Sequence, residues 1–282
     1  MQFAEAPGLV DLGLDHLNLI QRVGLRDDVL AGFFNNESGE VFKGFALNDD
    51  DVLLDYGCGS GGPLEFCLGR AGRIIALDSD AAVLDQCREL LNGKTTSSID
   101  FMLADGAFID LPDETASKVM CLEVLEHVDD PDTTLSELTR IGNDGCLYLI
   151  SVPDPRSEEV LKQFAPRAAF EKPHHVRIIQ PNEFRSMVEG AGLEIQSQTF
   201  VGGFSSVFTA IYFSRIDALG LNGVCSIVKE IAYADPVLSA WAKAWNDILD
   251  GEYGYEIKRM IDLMIPKSQV IIARKNRPTL SE

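Results

Sequence analysis

Positive charge is what this chain lacks most: 24 Lys and Arg stand against 44 Asp and Glu, a formal net charge of −20. Non-specific attachment to nucleic acid or to an anionic membrane draws on clustered Lys and Arg, and no such cluster occurs. No nucleic-acid partner is expected; a small molecule, or a neutral or cationic partner, is. No apolar run reaches the ~18 residues of a membrane-spanning helix, so no membrane insertion is expected. The N-terminus carries Glu5, Asp11 and Asp15 where a secretory leader has a basic and then an apolar stretch. The cysteines at 58, 67, 87, 121, 146 and 225 include no C-x-x-C pair. That pattern argues against a zinc ribbon or a disulfide framework and suits small buried hydrophobes in a reducing, cytoplasmic compartment. At 282 residues and 46% hydrophobic, the chain is long enough for one large α/β domain with additions.

Chemistry is concentrated between Asp51 and Pro63. Val52, Leu53 and Leu54 form a short apolar run of the kind buried on both faces of a parallel sheet. Glycines at 57, 59, 61 and 62 follow, opening the backbone to positive φ and to close approach of a ligand. Pro63 then suits the first turn of a helix. Strand, glycine loop and helix open a nucleotide-binding βαβ unit. Gly57, Gly59 and Gly62 fit the G-x-G-x-x-G of dinucleotide-binding domains, with acidic Asp78 about 20 residues downstream. Asp55 points elsewhere, because a carboxylate directly before the loop repels a pyrophosphate and suits a cationic ligand, such as the sulfonium and ammonium of S-adenosylmethionine.

The segment Asp55-Tyr56-Gly57-Cys58-Gly59-Ser60-Gly61-Gly62 resembles the first motif of class I S-adenosylmethionine-dependent methyltransferases. Leu77-Asp78, Ala104-Asp105-Gly106 and the run Cys121-Leu122-Glu123-Val124-Leu125-Glu126-His127-Val128 follow in that family's order. The last run is similar to the branch that includes ubiquinone and menaquinone biosynthesis methyltransferases. The resemblance covers roughly residues 40–200. It implies a cofactor shell of Asp55, Gly57, Cys58, Gly59, Gly61, Asp78, Ser79, Asp105, Gly106, Leu122 and Glu123 around S-adenosyl-L-methionine, which leaves as S-adenosyl-L-homocysteine. In that shell Asp78 accepts the ribose hydroxyls and Asp105 the adenine amino group.

The implied fold is α/β: a Rossmann-like seven-stranded mixed sheet with helices on both faces, an N-terminal helical extension and a helical insertion between the last two strands. Residues 1–48 would form the helical cap, with helix-like spacing over 12–23 and 29–34, either covering the cofactor or simply packing on the sheet. Residues 49–200 would form the cofactor-binding core and 268–282 the final strand and tail. Residues 201–267 hold Phe204, Phe208, Tyr212, Phe213, Trp241 and Trp245 among other aromatics, with helical spacing over 226–233, 236–249 and 255–264. Three roles are open for them: a lid on an acceptor pocket, a homodimer interface, or an extension of the core.

Residues 153–180 read as a loop-rich link, too long for an ordinary connection, carrying His174-His175. His127, His174 and His175 are the candidate bases for a small acceptor's hydroxyl; His127 serves equally well to shape its loop. Arg177 is placed to neutralise an acidic acceptor. No helical i, i+4 partner accompanies the histidines, so no metal is expected. The expected reaction is in-line methyl transfer to a small-molecule acceptor, oxygen favoured over nitrogen or carbon. A nicotinamide-dependent oxidoreductase and a non-catalytic scaffold on a methyltransferase fold are the rivals.

Overall fold

A computed structural model of the chain describes residues 17–94, 97–104 and 108–276. Helix α1 (Leu19–Ala31) starts at a capping box, in which the Asn18 side chain accepts from the Gln21 N–H and the Gln21 side chain accepts from the Asn18 N–H. Short strands β1 (Phe33–Asn35), β2 (Glu40–Phe42) and β3 (Phe45–Ala46) form a separate three-stranded antiparallel sheet. The core then runs β4 (Val52–Tyr56), α2 (Gly62–Cys67), β5 (Arg73–Asp78), α3 (Ala81–Leu91), β6 (Ser98–Leu103), β7 (Ala116–Leu122), α4 (Pro131–Ile141) and β8 (Gly142–Pro153). There follow α5 (Pro155–Leu161), a 3-10 turn over Arg167–Phe170, α6 (Pro181–Gly190) and β9 (Leu193–Val201). The insertion contributes α7 (Gly203–Ser214), α8 (Lys229–Ala234), α9 (Pro236–Leu249) and α10 (Gly254–Met264) before β10 (Ser268–Lys275) closes the sheet.

The main sheet has seven strands in the order β6-β5-β4-β7-β8-β10-β9. The pairs β4/β5, β5/β6, β4/β7 and β7/β8 are parallel, whereas β10 lies antiparallel between β8 and β9. The expected seven-stranded mixed sheet is therefore present. Burial explains the apolar run at its centre: Leu53, Leu54, Ile74, Ile75, Val119 and Met120 are all fully buried. One face packs against α4 and α6 through Leu135, Leu138, Phe184 and Val188. The other packs against α2, α3 and the small sheet through Leu64, Cys67, Cys87, Phe42 and Phe45.

Three expectations need correction. The helix-like spacing over 29–34 belongs in part to α1, which runs unbroken through Gly24, and in part to β1; residues 12–16 lie outside the described residues. The 153–180 link contains a helix, α5, whose N-cap Asp154 accepts from Arg156 N–H with Pro155 in the first turn. Residues 203–214, for which the spacing gave no helix, form α7.

The insertion has its own core, in which Phe204, Phe208, Tyr212 and Trp245 pack with Ile20 and Val23 of α1. A buried ion network ties these helices together. Lys258 is fully buried and its Nζ lies 2.7 Å from Asp262 and 3.2 Å from Asp27. Asp27 accepts from the Trp245 indole at 2.9 Å, and Asp262 accepts from Gly203 N–H at 2.8 Å. The insertion leaves and rejoins the sheet at adjacent points, since Lys267 N–H donates to the Val201 carbonyl at 2.8 Å.

Candidate active site

The chain lays strands β4, β5 and β6 toward one edge and then returns to place β7 on the other side of β4. Open α/β sheets hold ligands beyond the carboxyl ends of their strands at such a reversal. Asp55 sits near the end of β4, with Glu123 just after β7. In the glycine loop, Gly57 N–H and Cys58 N–H both donate to the Leu77 carbonyl, at 2.8 and 2.9 Å. Gly57 has φ +76°, and a Cβ there would lie 2.4 Å from Val124 Cγ2. At Gly59, with φ +54°, a Cβ would meet nothing within 4 Å, so that backbone faces open space.

Asp78, at the tip of β5, accepts from Gly59 N–H at 2.9 Å through one oxygen and from Asp80 N–H at 3.0 Å through the other. A carboxylate has about four acceptor sites, so two remain for a pair of hydroxyls. Ser79 is exposed beside it. Cys58 is buried against Cys87, and Leu122 packs at the edge of the core. Asp105 and Gly106 lie outside the described residues.

Asp55 is 3% exposed, and burial, then Cys87 and Asp78, push its pKa up to about 8. This changes the electrostatic argument made from the sequence. Largely protonated at pH 7, the carboxyl repels a diphosphate only weakly. Its preference for a cation comes instead from the ionisation that a neighbouring positive charge drives.

Beyond the end of β7 lies a cavity of about 240 Å³, lined by the segment after β7, the 153–180 link and the insertion. Glu123 enters it with φ +57°, a conformation that costs a non-glycine residue about 1–2 kcal/mol. Its N–H donates to the Ser151 carbonyl at 3.0 Å, and its carboxylate accepts from Ser151 Oγ at 2.8 Å and from Lys267 Nζ at 3.2 Å. Burial alone would raise the Glu123 pKa; Lys267 and the Ser151 hydroxyl reverse that and hold it low. Glu126 is 1% exposed and neither carboxylate oxygen accepts a hydrogen bond. Burial, then Glu123, hold its pKa well above the ordinary range.

All three candidate histidines line this cavity. His127 Nδ1 donates to the Pro173 carbonyl at 3.1 Å, and His175 Nδ1 to Glu158 at 2.7 Å. His174 Nε2 lies 2.9 Å from Cys225 Sγ. Burial, then His175, lower the His127 pKa and favour its neutral form. The Val176 N–H bond to the Glu126 carbonyl, 3.0 Å, draws the two histidine-bearing loops together. Arg177, expected to meet an acidic acceptor, instead donates to the carbonyls of Leu125 and Asp129 and braces the loop. Glu158, Lys267 and Cys225 are wall residues that the sequence did not single out. Only the N-cap at Asp154 could have flagged the helix carrying Glu158.

Residues 54–150 match the family model of the methyltransferase domain. A protein of Mycolicibacterium smegmatis named probable S-adenosylmethionine-dependent methyltransferase is 28% identical over 184 residues, 65% of this chain and 65% of its own length. Residues 54–150 thus carry a methyltransferase domain, and the chain resembles the S-adenosylmethionine-dependent methyltransferases. S-Adenosylmethionine is that family's cofactor, and the half-buried Asp78 tip with the Gly59 backbone facing open space fits it. The ubiquinone biosynthesis O-methyltransferase of Hahella chejuensis is 28% identical over 155 residues, 51% of this chain and 63% of that protein. The alignments thus span less than two thirds of the length of these curated relatives. Among solved structures, the geranyl diphosphate C-methyltransferase of Streptomyces coelicolor shares the fold of this chain, with a TM-score of 0.55 at 16% identity, covering 91% of this chain and 83% of the other. Among the described residues no helix is long and apolar enough to cross a membrane.

Proposed function

We propose that this methyltransferase transfers a methyl group to a hydroxyl of a small molecule held in the 240 Å³ cavity. The observation that carries the reading is adjacency. One β-strand, β7, separates the glycine loop with its acidic tips from a cavity whose walls carry acids and imidazoles among apolar side chains. Bound at the loop, S-adenosylmethionine supplies a methyl group already activated on a sulfonium. The chain's residues then have to align the acceptor and exclude water.

Asp55 and Asp78 face the cationic and ribose portions of the cofactor, with Gly57, Cys58, Gly59 and Gly61 forming the loop against it. Ser79, Asp105, Gly106 and Leu122 complete that shell, and Glu123 stands between cofactor and acceptor. The neutral His127 and the Glu158-oriented His175 supply lone pairs for the acceptor proton, which favours oxygen as the methylated atom. His174 lies on the same wall. Residues 49–200 act as the cofactor-binding unit, and residues 201–267 as the lid, contributing Ser206, Thr209, Phe213 and Cys225 to the cavity. Helix α1 packs against that lid, and β10 (Ser268–Lys275) closes the sheet.

Calorimetry with S-adenosylhomocysteine and NADH, followed by methyl transfer from labelled S-adenosylmethionine to a panel of hydroxylated metabolites, tests the reading. The expected result is binding of the former alone, weakened about tenfold or more in Asp78→Ala through loss of charge-assisted hydrogen bonds. NADH binding, or unchanged affinity in the variant, would remove the assignment.

A further inference from the structure

Glu126 poses a chemical problem that the methyl-transfer reading leaves unsolved. A carboxyl group only 1% exposed, with both oxygens free of hydrogen bonds, is costly to bury. What faces it is a second imidazole-bearing loop. One donor atom each from Glu126, His127 and His175 lies within 4.8 Å of the other two.

The orientation of the two rings is fixed by groups that can only accept a hydrogen. The Pro173 carbonyl takes the His127 Nδ1–H, and the Glu158 carboxylate takes the His175 Nδ1–H. Each ring is left with its lone pair on Nε2, and that of His127 lies 3.5 Å from a Glu126 oxygen. Metal-bound histidines show this arrangement: the second ring nitrogen donates to a carbonyl or carboxylate, which sets the tautomer and strengthens the donor. The rings stand edge to face with centroids 5.0 Å apart, so neither stacks over the other's nitrogen.

The geometry points to a divalent transition-metal site in the acceptor cavity, with Glu126, His127 and His175 as ligands and Glu158 as the positioning residue behind His175. Two imidazoles and one carboxylate suit Zn²⁺, Co²⁺, Fe²⁺ or Mn²⁺ better than Mg²⁺, which takes oxygen donors. A +2 ion would give both orphaned oxygens of Glu126 a partner and keep that carboxylate ionised.

Three protein ligands leave coordination open on the cavity side. This deepens the proposed function and rests on it for the role of the ion: an acceptor hydroxyl, with a neighbouring oxygen to fill a second position, binds there and becomes more acidic. With their Nε2 lone pairs on the ion, His127 and His175 serve as ligands in place of bases, so the hydroxyl proton leaves to solvent and the oxygen forms the new bond to the methyl carbon. The carbon–sulfur pair stays on sulfur, which becomes a neutral thioether.

The spacing argument against a metal considered only ligands on one helix. The ligands come from two loops 48 residues apart that the Val176–Glu126 backbone bond joins.

The test uses the full chain, freed of metal by dialysis against a chelator and titrated with Co²⁺, Zn²⁺ and Mg²⁺. One equivalent of Co²⁺ or Zn²⁺ is expected to bind at micromolar or lower concentration, with Mg²⁺ at least a hundredfold weaker. Affinity for Co²⁺ should fall at least a hundredfold in His175→Ala and Glu126→Gln, and about tenfold in Glu158→Gln. S-Adenosylhomocysteine affinity, measured on the same samples, should stay within twofold and certifies that each variant is folded.

Cys225→Ser should bind Co²⁺ normally; loss of binding there would move the site to the Cys225–His174 pair and overturn the assignment. No stoichiometric binding by the parent protein, equal binding of Mg²⁺, or variants indistinguishable from the parent would also overturn it. Metal binding without S-adenosylhomocysteine binding would instead sink the proposed function and leave this site standing.

Discussion

Replacing Asp55 with Asn isolates the ionisation of the carboxyl at the strand reversal. Its pKa is about 8 in the folded protein, against an ordinary 3.8. Folding therefore takes up a proton at any pH between those values. The sign follows from linkage: the raised folded value gives stability that is complete below pH 3.8 and is lost progressively up to pH 8. Each pH unit in that window costs about 1.4 kcal/mol, so the group costs about 4 kcal/mol at pH 7.

An amide of nearly the same shape needs no proton, but its own buried donors go unpaired at a cost of about 1–3 kcal/mol. Asp55→Asn should thus be more stable than the parent at pH 7 by roughly 1–3 kcal/mol, and that advantage should shrink by about 3 kcal/mol on going to pH 5. At roughly 2–4 °C per kcal/mol, thermal-melting curves of the ligand-free proteins should cross between those pH values. S-Adenosylmethionine should stabilise the parent and lose most of that effect on the variant, because the carboxylate that answers its positive charge is gone. Melting curves that stay parallel from pH 5 to 8 would refute the reasoning.

Gly57→Ala combines a left-handed backbone with a Cβ 2.4 Å from Val124, and should cost roughly 2–5 kcal/mol; denaturant titration reads it, and a loss below 1 kcal/mol would mean the loop relaxes freely. Lys258→Met leaves Asp27 and Asp262 buried without their cation and should destabilise by about 3–5 kcal/mol, a deficit that acidification reduces as Asp27, whose pKa burial already raises, takes up a proton. Removing residues 205–262 and closing the gap with a short turn should leave S-adenosylhomocysteine binding measurable and abolish acceptor turnover; intact turnover would show that the insertion is no lid.

Local chemistry was the readable part of the sequence. The run Val52 to Pro63 shows its strand, loop and helix because apolar burial, glycine and proline each act within a few residues. Helix α9 is equally plain, with Asp235 as N-cap, Pro236 in the first turn and an apolar stripe ending in Leu249. Helix α7 was not, because Gly203 to Ser214 is apolar around most of its circumference and no period stands out. Helix α5 hid behind two prolines that suggested a loop, although Pro155 follows an N-cap.

Short strands β1 to β3 carry too few residues for alternation to show. The cavity was least legible of all. His127, His174 and His175 could be marked as reactive, but their partners Pro173, Cys225 and Glu158 are assigned by packing alone. Nothing local in the sequence announces that Glu126 is buried without a hydrogen bond, or that Arg177 is occupied by backbone.

The hydrogen bond between Lys267 and Val201 closes a doorway through which the whole insertion passes. A segment whose two ends meet across one bond can be traded without shifting the strands on either side, provided that α1, whose Asp27 is held by Lys258 and Trp245, is traded with it. Under the proposed lid role, acceptor recognition would diverge by recombination at that threshold while the proposed methyl-donor site is inherited untouched. Chimaeras joined at residues 202 and 266, with α1 exchanged alongside, are the natural way to graft a new substrate preference onto this sheet.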